Sequence, residues 1–289
     1  MDPATARYQN TLKRLRRAAV AHSTVLWRQL PSIDRSQVPA FVAEVVPIVE
    51  AAQRQAVALT TAYQAHRLDI STPALDVDRL IGTYARNGAD PELVYGRPFI
   101  SVWSALKDGT SYADAVAQGL DRLQGLADED VALAARDAAG TLVATTDGVT
   151  GWERVPDGQA CDFCLMASTQ TYSSGDLMDL HDRCGCTVEP ITDKEPGQIT
   201  DPDLRDQLTQ QGIDPTVYQH GELGPVLASA GDRNTDSADL IGRTAEDWAG
   251  WDRSQNWDIT SLTPDRIDAV RGAQSIAWQP AGDSWRIAA

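Results

Sequence analysis

All four cysteines of this 289-residue chain, and one of its four histidines, fall within the 26 residues from Cys161 to Cys186. The spacing is C-x2-C-x16-H-x2-C-x-C, through Cys161, Cys164, His181, Cys184 and Cys186. Zinc is held tetrahedrally by thiolates and imidazoles, and a C-x2-C turn folds back so that both sulfurs face one ion. His181 and Cys184, three apart, suit the bite of one helical turn, with Cys186 following. Five candidates compete for four positions. One assignment takes Cys161, Cys164, His181 and Cys184 and leaves Cys186 facing the core from the start of a strand. The other is an all-cysteine set with His181 supporting it from outside. A site closed by four protein ligands leaves no position for water, so the metal would be structural. Such a site contributes about 10–16 kcal/mol of apparent binding free energy at neutral pH. Ordinary buried cysteines, two disulfides pairing across the clusters, or a thiol activated by His181 are the competing readings.

Composition narrows the setting. No apolar run reaches eighteen residues, too short for a membrane-spanning helix. The opening "MDPATARYQNTLKRLRRAAV" has basic residues but neither an apolar stretch nor a small-residue cleavage site, so no secretory signal is expected. A reducing cytoplasm follows as the expected site of synthesis, where clustered cysteines favour metal over disulfide. The net charge is −16, unevenly spread. Residues 1–33 hold six of the 25 basic groups (Arg7, Lys13, Arg14, Arg16, Arg17, Arg28) and one of the 41 acidic ones, Asp2. The remaining 19 basic and 40 acidic groups make the rest of the chain strongly negative, which argues against a general nucleic-acid surface. The basic opening helix is suited to DNA, to an acidic partner, or simply to water.

The periodicity predicts a mainly α chain with a small β element. Tyr8, Leu12, Leu15, Ala19, His22, Leu26 and Leu30 fall at helical spacing over 4–30, placing His22 in the core. A second helix is expected from an N-cap at Ser36, with Pro39 in its first turn, to about His66. Val38, Phe41, Val42, Val45, Val46 and Val49 form its stripe, and Pro47 should kink it. Short helices are expected at 77–86, 91–107 and 111–125, then a further one capped by Asp128 and stopped by Gly140. One or two short strands follow in "TLVATTDGVTGWERVPDGQA", and another in "CTVEPI", stopped by Pro190. Beyond Asp193 the chain is polar and acidic, with weak helical patterns near 202–211 and 264–273. Trp248, Trp251, Trp257, Trp278 and Trp285 lie in the last 42 residues, where little core is available to cover them. Three regions result: a helical N-terminal region (1–76), a core with the Cys/His motif (77–193) and an acidic Trp-bearing extension (194–289).

The stretch "GWERVPDGQACDFCLMAS" with "HDRCGCTVEPI" resembles the signature of the Mu F-like minor head proteins of tailed bacteriophages, especially the actinobacterial-phage branch. The matching positions are Gly151, Trp152, Arg154, Val155, Cys161, Phe163, Cys164, Met166, His181, Cys184, Cys186 and Pro190. The resemblance is strongest over about 150–191, extends from about 85 and does not reach either end.

This resemblance implies a Mu F-like core with a zinc-stapled loop in a minor capsid protein of the head interior or portal vertex. Such a protein is made in the host cytoplasm and takes part in head morphogenesis and DNA packaging or delivery. The implied partners are the portal protein and the major capsid or scaffold protein, with packaged DNA a further contact for the basic helix, and no membrane. Members of this branch are often labelled capsid maturation proteases, so proteolysis of capsid or scaffold is the alternative. The sequence contains neither H-E-x-x-H nor G-x-S-x-G, and we assign no catalytic residue. The Trp-rich tail is expected to dock on a neighbouring subunit or head protein, the alternative being that it wraps the chain's own helical body.

Overall fold

Helix-compatible stripes dominate the first half of the chain, and helices dominate its structure. A computed structural model of the chain describes residues 2–81, 89–174, 184–213, 278–281 and 284–287. The fold is mainly α with a small antiparallel sheet, as the periodicity predicts. The chain divides into two compact units, Met1–Ala138 with Ile259–Ala289, and Ala139–Asp258.

The first unit is built from long helices. Helix α1 (Pro3–Arg28) begins where the Asp2 carboxylate accepts the Ala4 N–H and Pro3 occupies the first turn. Its buried arc runs through Thr5, Tyr8, Gln9, Leu12, Arg16, Ala19, Ser23 and Trp27. His22 is therefore exposed, contrary to its expected place in the core. The arc is rotated because polar residues here find buried partners, which makes their burial affordable in free energy. Tyr8 and Tyr63 stack with centroids 4.1 Å apart, Tyr8 Oη meets Thr60 Oγ1 at 2.9 Å, and Thr5 Oγ1 meets Tyr63 Oη at 2.8 Å.

Those partners belong to helix α2 (Val38–Leu68), the most deeply buried helix described. Its lead-in differs from the sequence reading. Asp34, rather than Ser36, is the cap: its carboxylate accepts the Ser36 N–H at 2.9 Å and closes a 3-10 turn, Arg35–Gln37. Ser36 thus lies inside that turn, its N–H and hydroxyl both donating to Asp34, and α2 itself starts from Gln37 without a side-chain cap. The helix continues through Pro47 and ends with Asp69 in the left-handed region (φ 53°), where Ile70 N–H bonds Ala65 O.

Helix α3 (Pro91–Lys107), capped by Asp90, carries Phe99 into an edge-on cluster with Trp27 and Phe41, at centroid distances of 4.9 and 5.4 Å. The expected helix over 77–86 is a 3-10 turn at Val77–Leu80, and 82–88 lie outside the described residues. Leu80 and Ile81 pack on Val57, Ala134 and Ala138.

The largest departure is helix α4. Two helices are expected over 111–140, but one runs unbroken from Tyr112 to Thr145. The Ser111 hydroxyl accepts the Asp114 N–H and donates to the Asp114 carboxylate, capping the true start. Asp128 does not cap. Its carboxylate takes two hydrogen bonds from the Arg16 guanidinium, at 2.9 and 2.5 Å. Gly140 does not stop the helix either, because a glycine costs only about 1 kcal/mol in a helix interior and tertiary packing outweighs it.

In the second unit, strand β1 (Gly151–Val155) lies at the centre of a three-stranded antiparallel sheet, between β2 (Thr171–Ser173) and β3 (Thr187–Ile191). The expected strand at "CTVEPI" is present, but Pro190 does not end it. Pro190 sits within β3 opposite Trp152, and β3 is an edge strand, where a residue without an N–H is tolerated. Trp152 is fully buried against Ala139, Val143 and Val188, and stacks on its cross-strand neighbour Tyr172 at 4.3 Å. Residues 195–200 strap β2: Thr171 N–H bonds Gln198 O, and Thr200 N–H bonds Thr169 O. Asp201 then caps helix α6 (Pro202–Gln210), matching the helical pattern near 202–211. A hairpin of β4 (Trp278–Ala281) and β5 (Ser284–Ile287), which belongs to the first unit, completes the described elements. The patterns at 264–273 and at Trp248, Trp251 and Trp257 lie outside the described residues.

Candidate metal centre

The centre is built by three local devices of the second unit. The first is the "PDG" passage, a turn-forming composition. The Asp157 carboxylate accepts the Gln159 N–H at 3.0 Å and its carbonyl accepts the Ala160 N–H, folding the chain back after β1. The second is helix α5 (Asp162–Ala167), so the C-x2-C segment forms a short helix rather than a simple turn. Cys161 stands at its N-cap in extended conformation, and Cys164 lies one turn in, fully buried. The third is β3, whose approach carries Cys184 and Cys186, two apart and both buried.

These devices bring three thiols together. The Sγ atoms of Cys164, Cys184 and Cys186 all lie within 4.8 Å of one another, close enough to hold a metal ion. Cys164 Sγ and Cys184 Sγ are 3.3 Å apart, and the Cys186 N–H points to Cys184 Sγ at 3.4 Å. Cys161, Phe163 and Ala160 pack around the trio as its partly buried wall. Cys186, which one assignment sends to the core, thus sits beside Cys164 and Cys184, while Cys161 stands at the rim. His181 lies outside the described residues.

The donor set fits a single thiophilic ion. Four thiolates at about 2.3 Å from zinc sit about 3.8 Å from one another, within the range these sulfurs already span. A disulfide needs about 2.05 Å, and none of the four cysteines is in a disulfide. In the metal-free state Cys164 and Cys186 favour their protonated forms. Cys164 is driven far above the usual thiol range by its hydrogen bonds with Cys184 and Cys186, by burial and by their charge. At Cys186 the hydrogen bond with Cys164 favours the thiolate. The hydrogen bond with Cys184, burial and the Cys184 charge outweigh it and push the group up to about 12. The Asp157 backbone also hydrogen-bonds Cys186 and acts in the thiolate's favour. Sequence reasoning passed over Asp157; the only signal was the turn composition around it.

The lead-in to the cysteines has a structural role at each position. A Cβ on Gly151 would lie 1.9 Å from Tyr172 O, so only glycine permits the β1–β2 approach. Arg154, buried, lays its guanidinium over Trp152 (5.6 Å) and Phe163 (5.9 Å), joining the sheet to α5. Tyr172 Oη donates to Ala167 O at 2.8 Å and ties β2 to the end of α5. The metal-ligand candidates are therefore mounted on a preformed platform of stacked aromatics and paired strands.

With this geometry in place, comparison with known proteins is informative. The model of the VG15 protein family matches residues 2–211, most of the chain and all of the platform just described. The chain belongs to the VG15 protein family, a family of phage gene products, and is a phage protein. No curated protein and no solved structure matches it. Among the described residues, no helix is long and apolar enough to cross a membrane.

Proposed function

We propose that this phage protein is a minor capsid protein of the Mu F-like kind, acting in head morphogenesis, with its cysteine segment stapled by a structural zinc. One observation carries the reading. The signature residues Gly151, Trp152, Arg154, Phe163 and Cys164 assemble with Cys184 and Cys186 into one buried unit, in a chain of a phage family. Cys164, Cys184 and Cys186 would hold the zinc, with Cys161 or His181 as fourth ligand, and the ion would supply a cross-link between α5 and the approach to β3. Burial argues for a ligand role over a nucleophilic one, since reactive cysteines are typically accessible and sit in electropositive surroundings.

The partners proposed are the portal protein and the major capsid or scaffold protein, with α1 available to packaged DNA, and the place is the virion head. The test is assembly of heads with and without this chain, followed by a density map of intact particles. Density for the chain at the portal vertex or inner shell is expected. Heads that form, package and deliver DNA normally without it overturn the proposal. Discrete cleavage of capsid or scaffold protein by the purified chain, abolished by Cys164→Ala in a folded protein, would replace it with the protease reading.

A further inference from the structure

Helix α1 presents an outward face that the head-protein reading offers only to packaged DNA. Arg14, Arg17, Ala18, Ala21, His22, Val25 and Arg28 are exposed along it, and no Asp or Glu occurs between Pro3 and Ile33. Arg16 is the exception among these arginines, turned inward onto Asp128. The exposed arginines therefore frame a strip of small and apolar residues, and Val25 is half exposed. Small side chains in such a strip let another helix approach closely. A DNA duplex could use the arginines but has no use for the strip, and the strongly negative remainder of the chain repels phosphate. The face is suited to an acidic helix.

The same chain carries such a helix in its other unit. On α6, Asp203, Asp206, Gln207 and Gln210 are exposed, Asp201 caps its start, and the exposed Asp193 and Glu195 precede it in the chain. The basic residues nearby are already engaged: Lys194 with Glu153 at 2.6 Å, and Arg205 with Gln170 at 3.0 Å. The charges also match in spacing. Arg14 and Arg17 are three residues apart, as are Asp203 and Asp206, so each pair spans about 4.5 Å along its helix axis.

We infer that α1 of one molecule docks on α6 of a second copy, Arg14 and Arg17 against Asp203 and Asp206. The contact is heterologous, so it propagates from copy to copy and closes into a ring only if the rotation allows. Exposed ion pairs are individually weak, so association is expected to be concentration-dependent and salt-sensitive.

The test is sedimentation of the full chain at about 0.1 M and about 1 M salt, where screening lengths are ~10 Å and ~3 Å. The mass should exceed that of the 31.3 kDa monomer at low salt and return to it at high salt. Arg14→Glu with Arg17→Glu, or Asp203→Lys with Asp206→Lys, should each abolish association while leaving the circular dichroism and melting unchanged, because all four side chains are exposed. Mixing the two charge-reversed proteins should restore it. A chain monomeric at both salts, association unaffected by either double variant, or a mixture that stays monomeric overturns the proposal. So does a monomeric chain that retards duplex DNA through Arg14 and Arg17, which would assign the face to nucleic acid.

Discussion

Cys164 Sγ and Cys184 Sγ stand 3.3 Å apart although twenty residues separate them in the chain. No disulfide joins them, and Cys186 completes a trio within 4.8 Å. Three thiolates at this separation would repel one another in a buried site, and a bound cation would neutralise them as their protons leave. Metal analysis of protein purified under reducing conditions should give about one equivalent of zinc per chain. Cys164→Ser or Cys184→Ser should lower both metal content and melting temperature, and chelation of the wild type should reproduce the loss. A metal-free wild type that melts like the chelated protein would remove zinc from this account.

Gly151 is fixed by the close approach of β1 to β2. Replacing it with alanine puts a methyl 1.9 Å from Tyr172 O, and the obstacle is backbone that cannot swing aside. Gly151→Ala should destabilise the second unit by about 1–3 kcal/mol, the usual range for overpacking. Loss of the Trp152–Tyr172 stack would be visible in near-UV circular dichroism. Wild-type melting in this variant would show that the strands can separate without cost.

Two glycines of α4 should respond in opposite senses. A Cβ at Gly119 would meet Val102 Cγ2 at 2.5 Å, Pro98 O at 2.8 Å and Trp27 Cζ2 at 2.9 Å, whereas Gly125 has nothing within 4 Å. Gly119→Ala is expected to destabilise, while Gly125→Ala should stabilise by up to about 1 kcal/mol through helix propensity. Denaturant unfolding of the pair measures the difference, and equal effects would mean the Gly119 crossing is looser than its contacts imply.

The Arg16–Asp128 pair joins α1 to α4 through two hydrogen bonds, with Arg16 almost wholly buried and Asp128 about a fifth exposed. Asp128→Asn should cost about 2–4 kcal/mol, somewhat below the cost of breaking a fully buried pair, because it strands the guanidinium. Arg16→Met with Asp128→Leu should recover much of that loss. A double-mutant cycle with no coupling would demote the pair to an incidental contact.

Asp137 supplies a pH signature. Burial raises its carboxyl from the ordinary 3.8 to about 6, with Arg136 acting in the opposite direction. Between those values the folded chain binds more protons than the unfolded one, so this group's contribution makes stability fall as pH rises through that window. Allowing for solvent screening at a partly exposed group, the effect is about 1–2 kcal/mol. Asp137→Asn should flatten that slope and raise the melting temperature at pH 7. An unchanged pH profile would show that the carboxyl titrates normally.

The helical character, the stripe on α2 and the cysteine cluster are all local facts. Periodicity and composition are properties of neighbouring residues, so the amino-acid sequence alone determined them. Where elements end was decided by contacts between residues far apart. Asp128 has the chemistry of a cap, but Arg16, distant in sequence, takes its carboxylate and lets α4 run through. His22 falls on an apolar spacing, yet the hydroxyls of Thr60 and Tyr63 pull the buried arc of α1 toward Thr5 and Tyr8. Pro190 reads as a stop, but at the edge of the sheet its missing N–H costs little. At the metal centre, residue type and spacing named five candidate ligands. That Cys164, Cys184 and Cys186 converge, with Cys161 at the rim, depended on where α5 and β3 meet, because a thiol's partner is set by the fold of the intervening chain rather than by its own neighbours.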